Sequence, residues 1–214
     1  MALGKNVAIV AVAVIVTAAV GARAARAEEG ERGRVLFALC TACHGPDGAG
    51  NELFRAPAIA GLPRWYVEAQ LQKFRSGVRG THPDDLQGMR MRPMSLALGS
   101  DEDVVAVAAA VADLERTRLA PVVSGGDPAR GAQLYASCVA CHGVDGRGNR
   151  QLNAPPLAGA SDWYLIEQLQ KFKAGIRGAD PKDATGILMR PMALTLPDEQ
   201  AMKDVIAHVM TLSR

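Results

Sequence analysis

One unit of this chain is written twice. Residues 40–98 align with 138–196 at a constant offset of 98 without a gap, and 32 of the 59 positions are identical. A period this long means duplicated domains, not a solenoid of short repeats. Each copy opens on the same box, Cys40-Thr41-Ala42-Cys43-His44 in the first and Cys138-Val139-Ala140-Cys141-His142 in the second. The two boxes use all 4 cysteines and 2 of the 4 histidines. Each copy must therefore take a fold that brings two thiols and one imidazole to a single place.

Cys-x-x-Cys-His is the attachment sequence of a c-type haem. Two cysteines three apart can each form a thioether to one porphyrin vinyl group, and the next histidine is then held beneath the iron. Cys40, Cys43, Cys138 and Cys141 are the candidate attachment points, with His44 and His142 as the proximal iron ligands. Other readings of the box are a redox dithiol, half of a zinc site or a disulfide. A zinc site needs four ligands, and neither box has a second pair at short range. A disulfide framework does not call for the adjacent histidine. The expectation is two covalently attached haem c groups in a chain that moves electrons.

The first stretch carries a positive start at Lys5, an apolar run from Val7 to Val20 and a small-x-small site at Ala25-Arg26-Ala27. It reads as a cleaved export signal over residues 1–27, since the apolar run is shorter than the ~20 residues of a membrane span. An uncleaved membrane tether is the alternative. Export to the periplasm suits haem attachment. Cleavage removes Lys5, Arg23 and Arg26 and no acid, leaving 21 basic residues against 22 acidic ones. A near-neutral chain without basic runs and with few aromatics excludes a nucleic-acid partner.

The expected fold class is all-α. Asp127 can cap a helix with Pro128 in its first turn, running into the second box. Ser161 can cap a helix through Lys173, with Trp163, Ile166, Leu169 and Phe172 at helical spacing. Ser100 opens a helix expected to end near Thr117, and Pro197-Asp198-Glu199 opens its counterpart. Leu119 to Gly126 is the linker, giving one domain over 28–119, a connection over 120–126 and a second domain over 127–214. Trp65, Trp163, Phe74 and Phe172 are expected in the core against the porphyrin.

A six-coordinate haem needs a ligand on its far side, and His/Met ligation leaves no open position for substrate. His82 faces Asp180 in the other copy and His208 has no counterpart, so both are expected on surfaces or helix faces. The duplicated methionines form two pairs, Met91 with Met189 and Met94 with Met192. The residues alone leave both pairs open.

The Cys-x-x-Cys-His-Gly-x-Asp-Gly opening, the Trp/Tyr…Gln-Leu…Phe helix, the Met-Arg-x-Met turn and the acidic final helix together resemble dihaem cytochrome c of the c4 type. The resemblance covers roughly residues 30–214. It implies tandem cytochrome c-like helical domains, each wrapped around one covalent haem. It also implies Met91 and Met189 as axial ligands, with Met94 and Met192 as the second choice. Pro57 and Pro155 match a proline whose carbonyl accepts the proximal imidazole N–H. Arg79, Arg177, Arg92 and Arg190 are duplicated and can either pair with haem propionates or sit on solvated faces.

The implied function is a periplasmic one-electron carrier and not an enzyme. It would serve redox protein partners, membrane respiratory complexes among them: a quinol-oxidising donor and a terminal oxidase or reductase as acceptor. No small-molecule substrate is expected. The alternatives are the cytochrome subunit of a larger dehydrogenase or oxidase complex, or a dihaem peroxidase or thiosulfate-oxidising enzyme.

Overall fold

The computed structural model describes residues 3–116 and 119–212, with side chains from Arg23 onward except Ala24. The expected apolar leader from Val7 to Val20 lies outside the described side chains. Among the described residues no helix is long and apolar enough to cross a membrane.

The described chain is helical, and its only bridges are the isolated pairs Asn51–Ala56 and Asn149–Ala154. In the first copy α1 (Leu3–His44) ends on the Cys-x-x-Cys-His box and is followed by α2 (Arg64–Arg75), α3 (Leu86–Leu96) and α4 (Asp101–Asp113). The second copy repeats this with α5 (Pro128–Tyr135), α6 (Val139–His142), α7 (Asp162–Lys173), α8 (Gly186–Leu194) and α9 (Glu199–Leu212). In each copy the first helix crosses the last, α1 on α4 and α5 on α9, over a glycine. A Cβ on Gly33 would meet the Ala106 carbonyl oxygen at 2.2 Å, and one on Gly131 would meet the Asp204 carbonyl oxygen at 1.9 Å.

The cores are equivalent. Phe37, Leu98, Val104, Val107 and Val111 form the first cluster, with Tyr135, Leu196, Met202, Val205 and Val209 at the same places in the second. Ser100 caps α4 as expected, accepting from Asp103 N–H at 3.2 Å. Asp127 caps α5 through Ala129 N–H at 2.8 Å. α4 ends at Asp113, before the expected Thr117, which lies outside the described residues.

Three local expectations need correction. The Met-Arg-Pro-Met segment is helix, not turn: Pro93 lies inside α3 and Pro191 inside α8. Proline lacks the N–H that would bond the carbonyl four residues earlier, and in α3 that carbonyl belongs to the exposed residue Met89. Ser161 stands at the N-cap of α7 but makes no cap bond, because its hydroxyl accepts from Ala58 N–H of the other domain at 3.2 Å. Trp65 is only half-buried, and both it and the buried Trp163 sit at the domain boundary under arginines of the opposite domain. Arg150 lies 5.0 Å above Trp65 and Arg55 lies 4.4 Å above Trp163.

That boundary has approximate twofold symmetry, the geometry a duplicated unit gives when it packs against itself. Lys73 Nζ reaches Asp183 Oδ1 at 2.5 Å, and Lys171 Nζ reaches Asp85 Oδ1 at 2.7 Å. Arg116 ties the two sides together, donating to Gly61 O at 3.1 Å and to Ala158 O at 2.7 Å. Arg55 adds an ion pair to Glu167 at 2.8 Å.

Burial raises the carboxyl pKa of Asp85 and Asp183, but the opposing lysine, a helix N–H and a nearby arginine together outweigh it and hold both below the ordinary value of 3.8. A carboxyl depressed in the folded state contributes stability above its unfolded pKa, and loses it as pH falls through the folded one. The interface is therefore expected to stay closed at pH 5 and to loosen only below about pH 4. Small-angle scattering across that range checks this, and opening at pH 5 to 6 would contradict it.

Candidate metal centres

Each site is built at the end of a helix. α1 delivers Cys40, Cys43 and His44 within its last turn and a half, and three-residue spacing puts the two thiols on one side. All four cysteines are free; Cys40 and Cys138 are half-buried, Cys43 and Cys141 exposed. Burial, with Cys43 adding to it, pushes the Cys40 thiol up to about 11. Burial raises Cys138 as well. Neither is poised as the low-pKa thiolate of a redox dithiol. Among the described residues no three His, Cys, Asp or Glu side chains converge on a common point as a zinc site requires.

The histidines are aimed. His44 is 5% exposed and its Nδ1 lies 2.8 Å from Pro57 O; His142 is 5% exposed and its Nδ1 lies 2.9 Å from Pro155 O. A carbonyl only accepts, so Nδ1 carries the proton and Nε2 keeps its lone pair for a metal. Burial lowers both imidazole pKa values despite the carbonyls, which keeps the rings neutral as metal binding needs.

The loop between histidine and proline is held close by one glycine in each copy. Gly50 and Gly148 have φ of 87° and 78°, and a Cβ there would meet the carbonyl carbons of Pro57 and Pro155 at 2.7 and 2.6 Å. Gly50 N–H also bonds His44 O, and Gly148 N–H bonds His142 O, both at 2.9 Å.

The methionines differ in placement. Met91 is half-buried against the first core cluster, as Cys40 is, while Met94 is 39% exposed. In the second copy Met189 and Met192 are both half-buried. His82 lies at the surface beside Asp84, and His208 is a helix-face residue against Tyr135 with ring centres 5.3 Å apart.

The four duplicated arginines are not on solvated faces in full. Arg79 and Arg177 are each 7% exposed and stack over Phe74 and Phe172 at 4.4 Å. Each donates from Nη1 to a glutamine of its own domain at 2.6 Å, Arg79 to Gln70 and Arg177 to Gln168. Tyr66 lies beside Arg177, and Tyr164 beside Arg79, across the boundary. Among the described residues neither arginine has a carboxylate partner, and the Nε atoms of Arg79, Arg92, Arg177 and Arg190 are buried without a hydrogen-bond partner. Buried cations need anions. Two haem propionates per domain fit this unpaired donor set, as the cysteines and histidines fit the rest of the group.

Sequence reasoning missed the tyrosines and the Lys–Asp pairs. Their signal was available: Lys73/Lys171 and Asp85/Asp183 are kept at the offset of 98, while the neighbouring charges Asp84 and Lys182 are not.

Comparison with known proteins places these features. The family model described as Cytochrome c matches residues 30–114 and again 128–213. The thiosulfate dehydrogenase electron acceptor of Stutzerimonas stutzeri (strain A1501) is 38% identical over 181 residues, covering 79% of this chain and 78% of that one. The crystal structure of reduced recombinant cytochrome c4 from Pseudomonas stutzeri superposes with a TM-score of 0.66 at 27% identity, over 85% of this chain and 97% of that one. Thiosulfate dehydrogenase (TsdBA) from Marichromatium purpuratum superposes with a TM-score of 0.70 at 32% identity, over 85% of this chain but 40% of that longer one.

Proposed function

As the chain belongs to the cytochrome c family, with two of its domains in tandem, we propose that it binds two covalent haem c groups and works as a dihaem electron carrier. It is a carrier of the cytochrome c4 kind and not an enzyme. Haem, when bound, supplies a one-electron iron couple. The observation that carries the reading is the doubled aiming of a buried imidazole, His44 by Pro57 and His142 by Pro155, next to a cysteine pair.

The residues divide the work as follows. Cys40 and Cys43 in one domain, and Cys138 and Cys141 in the other, anchor the two groups. His44 and His142 would hold the iron through Nε2, and Met91 and Met189 would offer it sulfur. Arg79, Arg177, Arg92 and Arg190 supply the donors for propionates. The domains run over 28–119 and 127–214, joined by 120–126. The first 27 residues direct export to the periplasm and are removed there.

Two donors suit such a carrier. One is a quinol-oxidising respiratory complex, with a terminal oxidase or reductase as acceptor. The other is a thiosulfate-oxidising dehydrogenase, favoured by the 38% identity to an electron acceptor of such an enzyme. In the second case the chain serves either as a free acceptor or as the cytochrome subunit of the complex.

The test is an absorption spectrum of the purified protein with haem counted per chain. Two haems and a full-strength near-infrared sulfur-to-iron band in the ferric form are expected. One haem, or a half-strength band with a high-spin component, would overturn the carrier reading in favour of an open site. Following the same spectrum with thiosulfate and its dehydrogenase then separates the donors. Rapid reduction supports the second; reduction only by the quinol-oxidising complex removes it.

A further inference from the structure

The symmetric lysines end on more than the partner domain's surface. Asp85 is the N-cap of α3, its carboxylate accepting Gly88 N–H at 3.1 Å. Asp183 holds the start of α8 in a similar way from two residues before its N-cap Thr185, its carboxylate accepting the N–H of Gly186, the first helical residue, at 2.9 Å. Both aspartates are buried, at 2% and 0% exposure. Each stands six residues before the methionine assigned as axial ligand, Met91 on α3 and Met189 on α8. The lysine that pairs with each comes from the other domain: Lys171 on α7 holds Asp85, and Lys73 on α2 holds Asp183. The same ammonium groups reach two residues further along each helix start. Lys171 contacts Gln87 Oε1 at 2.9 Å and Lys73 contacts Thr185 Oγ1 at 2.5 Å.

From this geometry we infer that Lys73 and Lys171 are positioning residues acting in trans, each fixing the methionine helix of the opposite domain. The inference rests on the assignment of Met91 and Met189 made above. An N-cap sets where a helix starts and steadies its first turn, so it also sets how far along the axis a residue two turns later is presented. A buried carboxylate keeps its charge, and its strength as a cap, only while its counter-ion stays. Without Lys73, Asp183 Oδ1 retains the Gly186 N–H, and its Oδ2 is already buried without a partner. The first turn of α8 then loosens and Met189 is held less firmly, although the lost residue belongs to the domain that carries Met91. Loss of Lys73 leaves the rest of the boundary, Arg116 and Arg55–Glu167 included, untouched, whereas Lys171 also pairs with Glu167 of its own helix at 2.6 Å.

The experiment uses the intact dihaem protein. Ring-current-shifted methionine signals in the proton NMR spectrum of the reduced form are assigned with Met91→Leu and Met189→Leu, each of which should erase one set. Imidazole, which binds ferric iron by displacing methionine, then probes each site in Lys73→Met and Lys171→Met. Lys73→Met should raise imidazole affinity about tenfold at the site of Met189 alone, the scale of losing one helix cap. Lys171→Met should do so at the site of Met91 alone. Amide hydrogen exchange should quicken in α8 for the first variant and in α3 for the second. Lys73→Arg, which keeps the charge, should restore the starting behaviour and shows that the position tolerates change. An effect on the lysine's own domain, equal effects at both sites, or none at either would overturn the crossed role. If the leucine variants leave both methionine sets in place, the axial assignment is what fails.

Discussion

Replacing Cys138 and Cys141 together by serine is expected to leave one haem per chain, and to leave the first domain's absorption and potential nearly unchanged. The two cores are separate clusters, and each proposed site draws its cysteines, histidine, proline and methionine from one copy alone. The effect on the second domain should be large. His142 is 5% exposed and hydrogen-bonded on one side only, and Cys138 packs against the core built on Tyr135, Ile166 and Val205. A porphyrin removed from that place takes away more apolar contact than a single large core side chain, so a loss of at least about 3–5 kcal/mol is expected. Haem counting and thermal unfolding, with hydrogen exchange resolved on α5 and α9, provide the measurement. A chain that keeps two covalent haems without these thiols would remove the attachment reading. Collapse of the first domain along with the second would show that the boundary, and not the separate cores, carries most of the stability.

The repeat makes most of this legible in the sequence alone. An offset of 98 doubled every observation, so a residue kept in both copies had either a structural or a chemical reason. The box gave the attachment points, and helical spacing gave α7 and α9 with their buried faces. What did not show was anything that depends on how the copies meet. Ser161 had the right chemistry for a cap, yet its hydroxyl serves Ala58 of the other domain. Trp65 looks like a core residue by type, yet it is only half-buried, under a cationic group from across the boundary. The Met-Arg-Pro-Met segment reads as a turn by family resemblance, and proline opposes helix by a local rule, while Asp85 and Asp183 at the helix starts and tertiary packing favour helix over the whole segment. Pairing between distant residues leaves no local period in a sequence. Lys73 and Asp183 are 110 positions apart, and only their joint retention at the repeat offset marked them.

Met91→Ala is expected to halve the near-infrared sulfur-to-iron band and to give one high-spin haem, while Met94→Ala leaves the spectrum as it is. The contrast follows from burial: Met91 lies on the core cluster with Cys40, and Met94 is 39% exposed. In the second domain burial does not separate Met189 from Met192, so the choice there rests on the repeat, since two domains with the same histidine-to-methionine span should ligate alike. Met189→Ala should therefore act as Met91→Ala does, and Met192→Ala should not. Met91→His tests the ligand and the fold separately, because histidine keeps a six-coordinate low-spin iron without sulfur. That variant should lose half of the band without the high-spin signal, and the potential of its haem should fall by on the order of 0.1 V or more, as exchange of a thioether for an imidazole requires. Loss of the band in Met192→Ala would mean that α8 presents a different turn from α3. The two haems would then differ in geometry despite 32 identical positions in the repeat.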